Sequence, residues 1–489
     1  MRAWIGVALA GVVWVAGEAY GQSRAQLFTG NRSIGSEELL LLRKDGQSLE
    51  DLGKLVQEYY RSKGYVLAVV RVEGQSLVID EGFLKDYEVS GNERTGREFV
   101  WQRVWGDYSR PFNVVELGER LQLLRNSPPF AEVRASVRPD GKLVIQVQEA
   151  NQFSFSGSLS NSVPLTIGSE RLSTVVGVND LAVSGDSLLL GYNTTRTFGL
   201  NQFSIAYTAP VGENQTVALS FSPTAFRVTQ PEFEQLGIRG SSQTYSLTYS
   251  NRLERSLLRE TTLSVGFSRR EGKTFIFDDI AVPFSAGVDP DGTTRTSNFN
   301  VGLNQLLRDT GGAWQWGLGL TLGTGLLGGT YNGLPNSSFA YVSANAQRLQ
   351  VFDPALLGIF KFSGQFSLDP LFSTEQFSLG GSGSLRGYRA SMRSGDNGMV
   401  LNNELRFIVD KQWQIYPFLD LGAVWNNPAN PNKLSTAQNF LAGTGVGVLF
   451  EPSRNLNFNL ELALPLLSTA DRTTALQDFA LYFNLGYRF

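Results

Sequence analysis

Beyond residue 150 the chain alternates apolar and polar positions with a period of two. Residues 455–464 read Asn, Leu, Asn, Phe, Asn, Leu, Glu, Leu, Ala, Leu. The terminal stretch 478–489 sets Phe479, Leu481, Phe483, Leu485, Tyr487 and Phe489 on one face, against Asp478, Ala480, Tyr482, Asn484, Gly486 and Arg488 on the other. The pattern returns at Phe203-Ile205-Tyr207, Tyr245-Leu247-Tyr249 and Phe299-Val301-Leu303. One oily and one wetter face over ~10 residues is what a strand needs to stand between lipid and a water-filled lumen. A soluble sandwich alternates too, but its buried faces favour Val and Ile packing, and it has no reason to exclude charge over so long a stretch. The alternation predicts a membrane β-barrel of about 16 antiparallel strands over 151–489. Short turns alternate with longer loops, and the longest is a sixth outer loop at 369–397.

Before residue 150 the period changes. SLEDLGKLVQEYYRSKG (48–64) and NVVELGERLQLLRNS (113–127) place apolar residues at helical spacing, and each is followed by alternating strands. A strand DYEVSGN and a short helix REFVWQRVW precede the second of these helices. The order is β-α-α-β-β, a small sheet covered on one face by helices. The first copy is thinner, with AQLFTG as its opening strand and SEELLLLR as its first helix. The predicted divisions are 22–82 for a shortened first α+β domain, 83–150 for a second, and 151–489 for the barrel.

Composition sharpens this division. Residues 22–150 carry 18 Lys and Arg and 19 Asp and Glu, against 23 and 25 in the much longer stretch 151–489. The 489 residues include no Cys and no His. Disulfides, thiolate sites, Ser-His-Asp triads and HExxH zinc sites are therefore excluded. A net charge of −3 without basic runs argues against a nucleic-acid surface. At the N-terminus, Arg2, an uncharged run and small residues at Ala19 and Gly21 form a leader over residues 1–21, with cleavage near Gln22. The run falls short of the ~20 apolar residues a spanning helix needs.

Three motifs give the chain a family likeness. Leu49 to Tyr65 is a leucine-bearing helix ending Tyr60-(x)3-Gly64-Tyr65. Leu385-Arg386-Gly387-Tyr388 lies in the sixth outer loop, and Phe418-x-Asp420-x-Gly422 lies on the thirteenth strand. With two β-α-α-β-β domains before a sixteen-stranded barrel, the chain resembles the two-partner secretion translocators of the TpsB type. These export haemolysins and haemagglutinins through a barrel preceded by polypeptide-transport-associated (POTRA) domains. The resemblance implies POTRA domains in the periplasm that capture an unfolded secreted partner, expected to be large and β-helical, and pass it through the lumen to the surface. It implies no enzyme activity and no cofactor. The partners expected are that polypeptide, outer-membrane lipid and the host's barrel-assembly machinery, which would read the face ending at Phe489. Rival readings are a barrel-assembly factor of the same superfamily and a passive porin. The chain departs from the pattern in two respects: little sequence is available before the first domain for a plug helix, so none is expected, and the last two strands of that domain lack the usual longer segment.

Within this scheme Arg386 is expected to pair with Asp420 on the lumen wall as a single contact, biasing the loop inward without locking it. Tyr60 and Tyr65 are expected to pack beneath the strand YVLAVV. Other motifs have plain readings. Gly323-Thr-Gly325-Leu-Leu-Gly328 has no helix after it and reads as a turn, as does Asp289-Pro-Asp291-Gly292. Gly272-Lys273-Thr274 has Phe267 where a phosphate loop needs Gly. Trp413, Tyr416 and Trp425 are expected in the aromatic girdle.

Overall fold

The computed structural model describes residues 27–125, 129–431, 439–467 and 475–489. The leader and the expectation about a plug helix lie outside the described residues. Two small α/β modules precede the barrel. The first runs strand Phe28–Thr29, helices Ser36–Leu40 and Leu49–Ser62, then strands Val69–Glu73 and Ser76–Asp80. Strand 76–80 is central, parallel to the first strand and antiparallel to the other. Its long helix begins where the Ser48 hydroxyl accepts the Asp51 N–H at 3.1 Å. Leu52, Val56 and Tyr60, four residues apart, form its buried stripe over Phe28, Leu39, Leu77 and Ile79.

Tyr60 is fully buried, and its hydroxyl donates to Glu81 Oε1 at 3.1 Å. Burial, and then the Glu81 carboxylate, push that phenol well above its ordinary range, so it stays a donor. The pairing strand starts only at Val69. Tyr65 is therefore left at the rim, half-buried and edge-on to Tyr60 at 5.7 Å, rather than beneath a strand.

The second module repeats the order: strand Asp86–Ser90, helices Arg97–Val104 and Val114–Arg125, strands Phe130–Val137 and Lys142–Glu149, with the last strand central. Both modules open on the same device. Gly30 and Gly91, at φ +82° and +80°, lie so close to the carbonyls of Ile79 and Val147 that a Cβ would stand 2.2 and 2.1 Å from them. The following Asn31 and Asn92 side chains donate to the carbonyls of Ile34 and Thr95. Glu81 then accepts the N–H groups of Arg32 and Ser33, as Glu149 accepts those of Arg94 and Thr95.

Among the described residues, sixteen long strands close into an antiparallel barrel, from strand 1 (Phe153–Ser160) to strand 16 (Leu481–Arg488). Strands 6 (Arg239–Arg255) and 7 (Arg259–Ile276) run well beyond the oily stretch predicted for them, because their ladder continues past it to Arg239 and Phe275. The connection between strands 7 and 8 is thereby confined to residues 277–292, and strand 8 begins at Thr293. The last strand is shorter than its alternation promised. Ala480 takes φ +54°, so Phe479 falls outside the strand, while Phe489 still pairs with Phe155 through both backbone groups.

The two faces of the wall differ around the ring. On strands 4 (Leu200–Pro210), 5 (Gln215–Arg227) and 6, the oily face holds Phe203, Leu219, Phe221, Tyr245 and Leu247. The lumen face holds Gln202, Ser204, Thr208, Thr216, Ser220, Ser222, Thr244, Ser246 and Thr248, and Ser220 and Ser246 hydrogen-bond across strands at 2.6 Å. Acidic side chains gather instead on strands 12 (Asn397–Ile408), 13 (Trp413–Trp425) and 15 (Leu456–Pro465).

Candidate functional site: a loop seated in the barrel lumen

Strand 13 alternates strictly. Ile415, Leu419 and Trp413 are exposed on one face, while Tyr416, Phe418, Asp420, Gly422 and Val424 are buried on the other. The sixth outer loop meets that buried face. It contains a short hairpin, Phe377–Leu379 with Arg393–Gly395, and its tip carries Leu385 to Tyr388 inward. Leu385 packs with Leu379, Tyr388, Val400, Val424 and Leu441, over the bare backbone of Gly422.

Arg386 is 3% exposed and satisfied on every side. Its Nε and Nη2 donate to the two oxygens of Asp420 at 2.7 and 2.8 Å, and its backbone N–H to Asp420 Oδ2 at 3.0 Å. Nη1 donates to Glu404 on strand 12 at 2.9 Å and to Glu461 on strand 15 at 2.8 Å. The guanidinium lies 3.6 Å above the Phe418 ring, which explains an aromatic side chain in a polar lumen. The pairing is therefore not the single, yielding contact expected from the sequence but a guanidinium held by three carboxylates. Glu404 is shared with Arg406 at 2.7 Å.

Backbone recognition completes the seat. The Tyr482 hydroxyl accepts the Gly387 N–H at 3.0 Å and donates to the Tyr388 carbonyl at 2.7 Å. The Tyr388 hydroxyl donates to the Ala442 carbonyl at 2.8 Å and accepts the Leu467 N–H at 3.2 Å. Gly387, at φ +100°, makes the tight tip.

Strand 14 (Phe440–Ser453) leaves the space. A Cβ on Gly443 would stand 1.9 Å from the Arg386 carbonyl oxygen, and one on Gly445 2.6 Å from the Phe418 ring. Gly443→Ala is expected to unseat the loop without altering any charge, an overpacking cost of ~1–3 kcal/mol. Limited proteolysis within 382–392 should accelerate while the barrel keeps its heat-modifiable gel mobility; unchanged cleavage would mean that the strand yields instead.

The sequence motifs are thus brought together: Leu385, Arg386, Gly387 and Tyr388 on Phe418, Asp420 and Gly422. Tyr60, Gly64 and Tyr65 belong to the first module. Glu404, Glu461, Tyr482 and Gly443 escaped the sequence reading. Tyr416, expected in the interfacial girdle, is instead buried in the lumen, its hydroxyl within hydrogen-bond distance of Asn459 Oδ1 at 2.7 Å and Glu461 Oε1 at 3.0 Å. Trp413, stacked on Phe450 at 4.2 Å and exposed, does fit the girdle.

Together, fold and site define an outer-membrane β-barrel whose lumen is occupied by one of its own outer loops. A family model described as haemolysin secretion/activation protein ShlB/FhaC/HecB matches residues 140–450, and the chain belongs to that family. Over 389 residues it is 24% identical to the outer membrane transporter CdiB of Escherichia coli, covering 75% of this chain and 63% of that relative. Over 391 residues it is 20% identical to CdiB of Dickeya dadantii, covering 75% and 68%. The chain thus spans less than two thirds of the length of the Escherichia coli relative. The solved structure of CdiB from Escherichia coli superposes with a TM-score of 0.73 at 20% identity, over 95% of this chain and 89% of that one. BamA from Haemophilus ducreyi lacking POTRA domains 1-3 gives 0.59 at 13% identity, over 93% and 96%. These likenesses show a shared fold.

Proposed function

We propose that the protein carries an unfolded secreted polypeptide from the periplasm across the outer membrane, with the two α/β modules acting as POTRA domains that take up the chain and the barrel lumen as its path. The observation that carries this reading is the seated sixth loop: an open porin gains nothing from a guanidinium fixed by three buried carboxylates across its lumen. Family membership and the likeness to outer membrane transporters support it. The first module offers a short edge strand, Val69–Glu73, to which an extended chain can add. Energy would come from folding outside, which withdraws the chain from the lumen. No enzymatic step is required.

Deleting the gene should abolish surface display of the secreted partner, and a plasmid copy should restore it. Display that persists in the deletion strain would defeat the reading. Loss of many unrelated outer-membrane barrels instead would identify an assembly factor.

A further inference from the structure

The barrel has one short seam. Strands 16 and 1 pair from Asn484–Ser160 to Arg488–Ser156, with Phe489 and Phe155 beyond at one end and a single long bond from the Asn161 N–H to the Phe483 carbonyl, 3.4 Å, at the other, whereas strands 6 and 7 pair from Arg239–Phe275 to Arg255–Glu260. Strand 1 ends at Ser160, but strand 16 continues outward to Leu481. Its outer backbone groups would be left without a neighbour on that side, an open edge at the place where the ring must close.

A side chain continues the ladder where the backbone leaves it. Asn161 is fully buried; its Nδ2 donates to the Leu481 carbonyl at 2.7 Å, and its Oδ1 accepts the Phe483 N–H at 2.9 Å. The carboxamide has the donor and acceptor of a peptide group and stands in for the missing strand residue. A second buried amide holds Asn161 itself. Gln477, 1% exposed, donates through Nε2 to the carbonyls of Asn161 at 2.7 Å and Val163 at 2.8 Å.

The remaining oxygen of that second amide reaches the sixth loop. Gln477 Oε1 accepts the Ala390 N–H at 2.9 Å, four residues beyond Arg386, and the neighbouring Asp478 pairs with Arg389. Tyr482, which grips Gly387 and Tyr388, is the strand residue between Leu481 and Phe483. The seated loop and the seam therefore share one hydrogen-bonded chain: Ala390, Gln477, Asn161, strand 16.

We propose that Asn161 and Gln477 are the closing clasp of the barrel, and that the clasp is set by the seated sixth loop, so that ring closure and loop seating are coupled. The role belongs to the barrel whatever it transports.

The absence of cysteine makes the test direct. Folded barrel resists detergent below a characteristic temperature, read as a mobility shift on gels. Asn161→Ala and Gln477→Ala should each lower that temperature by about 5 °C or more. Cysteines placed at the paired positions Ser158 and Gly486, oxidised to a disulfide, lock the seam, and the lock should return both variants to the value of the locked parent. Asp289→Ala serves as the control. Its carboxylate, in the loop between strands 7 and 8, accepts from Arg295 and Thr330, outside both the sixth loop and the seam, and the lock should not rescue it. Arg386→Ala should also lower the transition, with partial recovery on locking if the loop sets the clasp. If Asn161→Ala yields no folded barrel, its assembly in the locked background would support the clasp, and failure there would overturn it. An unshifted transition for both amide variants, equal loss with and without the lock, or no recovery of Arg386→Ala would also overturn the proposal.

Discussion

Replacing Arg386 by Ala is expected to be worse than replacing Asp420, and the double variant is expected to be milder than Arg386→Ala alone. The reason is the charge left behind. Without the guanidinium, Asp420, Glu404 and Glu461 face one another in a buried seat, with Arg406 bonded to Glu404 and Lys361 lining the same cavity. Removing one partner from a buried ionic cluster costs ~3–5 kcal/mol, chiefly through the charges left uncompensated. Asp420→Ala leaves Arg386 bonded to Glu404 and Glu461, and in the double variant one of the three repelling carboxylates has gone. Arg386→Lys should rescue only in part, since an ammonium cannot reproduce the two-pronged bond to Asp420 while also reaching strands 12 and 15. The seat is read by protease cleavage within 382–392, and the proposed activity by partner display. A double variant as impaired as the simple sum of the two singles would rule out the shared cluster.

The second large effect lies in the first module. Tyr60→Ala should cost that module ~3–5 kcal/mol, because a fully buried ring is removed from a small core. Tyr60→Phe keeps the ring and loses one bond to the Glu81 carboxylate, for which ~1.5–3 kcal/mol is expected. Tyr65→Ala, at the rim, should cost less than Tyr60→Ala. Proteolysis of the full chain should show residues 28–80 cut early in Tyr60→Ala, with the barrel's gel shift unchanged. Equal protection of Tyr60→Ala and the parent would mean the core is held by the remaining apolar residues.

The barrel was legible because a two-residue period repeated through sixteen strands cannot mean much else, and each strand end was set by where the oily face stops. Legibility failed where the ladder outran the lipid, as at Arg239 and Phe275, and where a single residue broke the period, as at Ala480. The meeting of Arg386 with Asp420 was readable from two motifs. Glu404 and Glu461 were not, because their contacts depend on which strands flank the seated loop. Their trace in the sequence is an acidic residue alone at a lumen position of an otherwise uncharged run, as in Asn-Leu-Glu-Leu-Ala. The Gly30-Asn31 and Gly91-Asn92 turns, each closed by a Glu at the end of its module, form an internal repeat too sparse for periodicity to reveal.

The hydroxyl-bearing wall of strands 4 to 6 carries a consequence for anything that threads the lumen. A serine or threonine hydroxyl both gives and takes a hydrogen bond, so a sliding backbone exchanges one bond for another of nearly equal strength. No charge of either sign stands on the stretch from Gln202 to Thr208 or from Thr244 to Thr248 to trap an acidic or basic segment. Such a surface is a bearing more than a binding site. A polypeptide carried over it by the proposed activity would meet low friction and no preferred resting place on this part of the wall, and its composition would change that little.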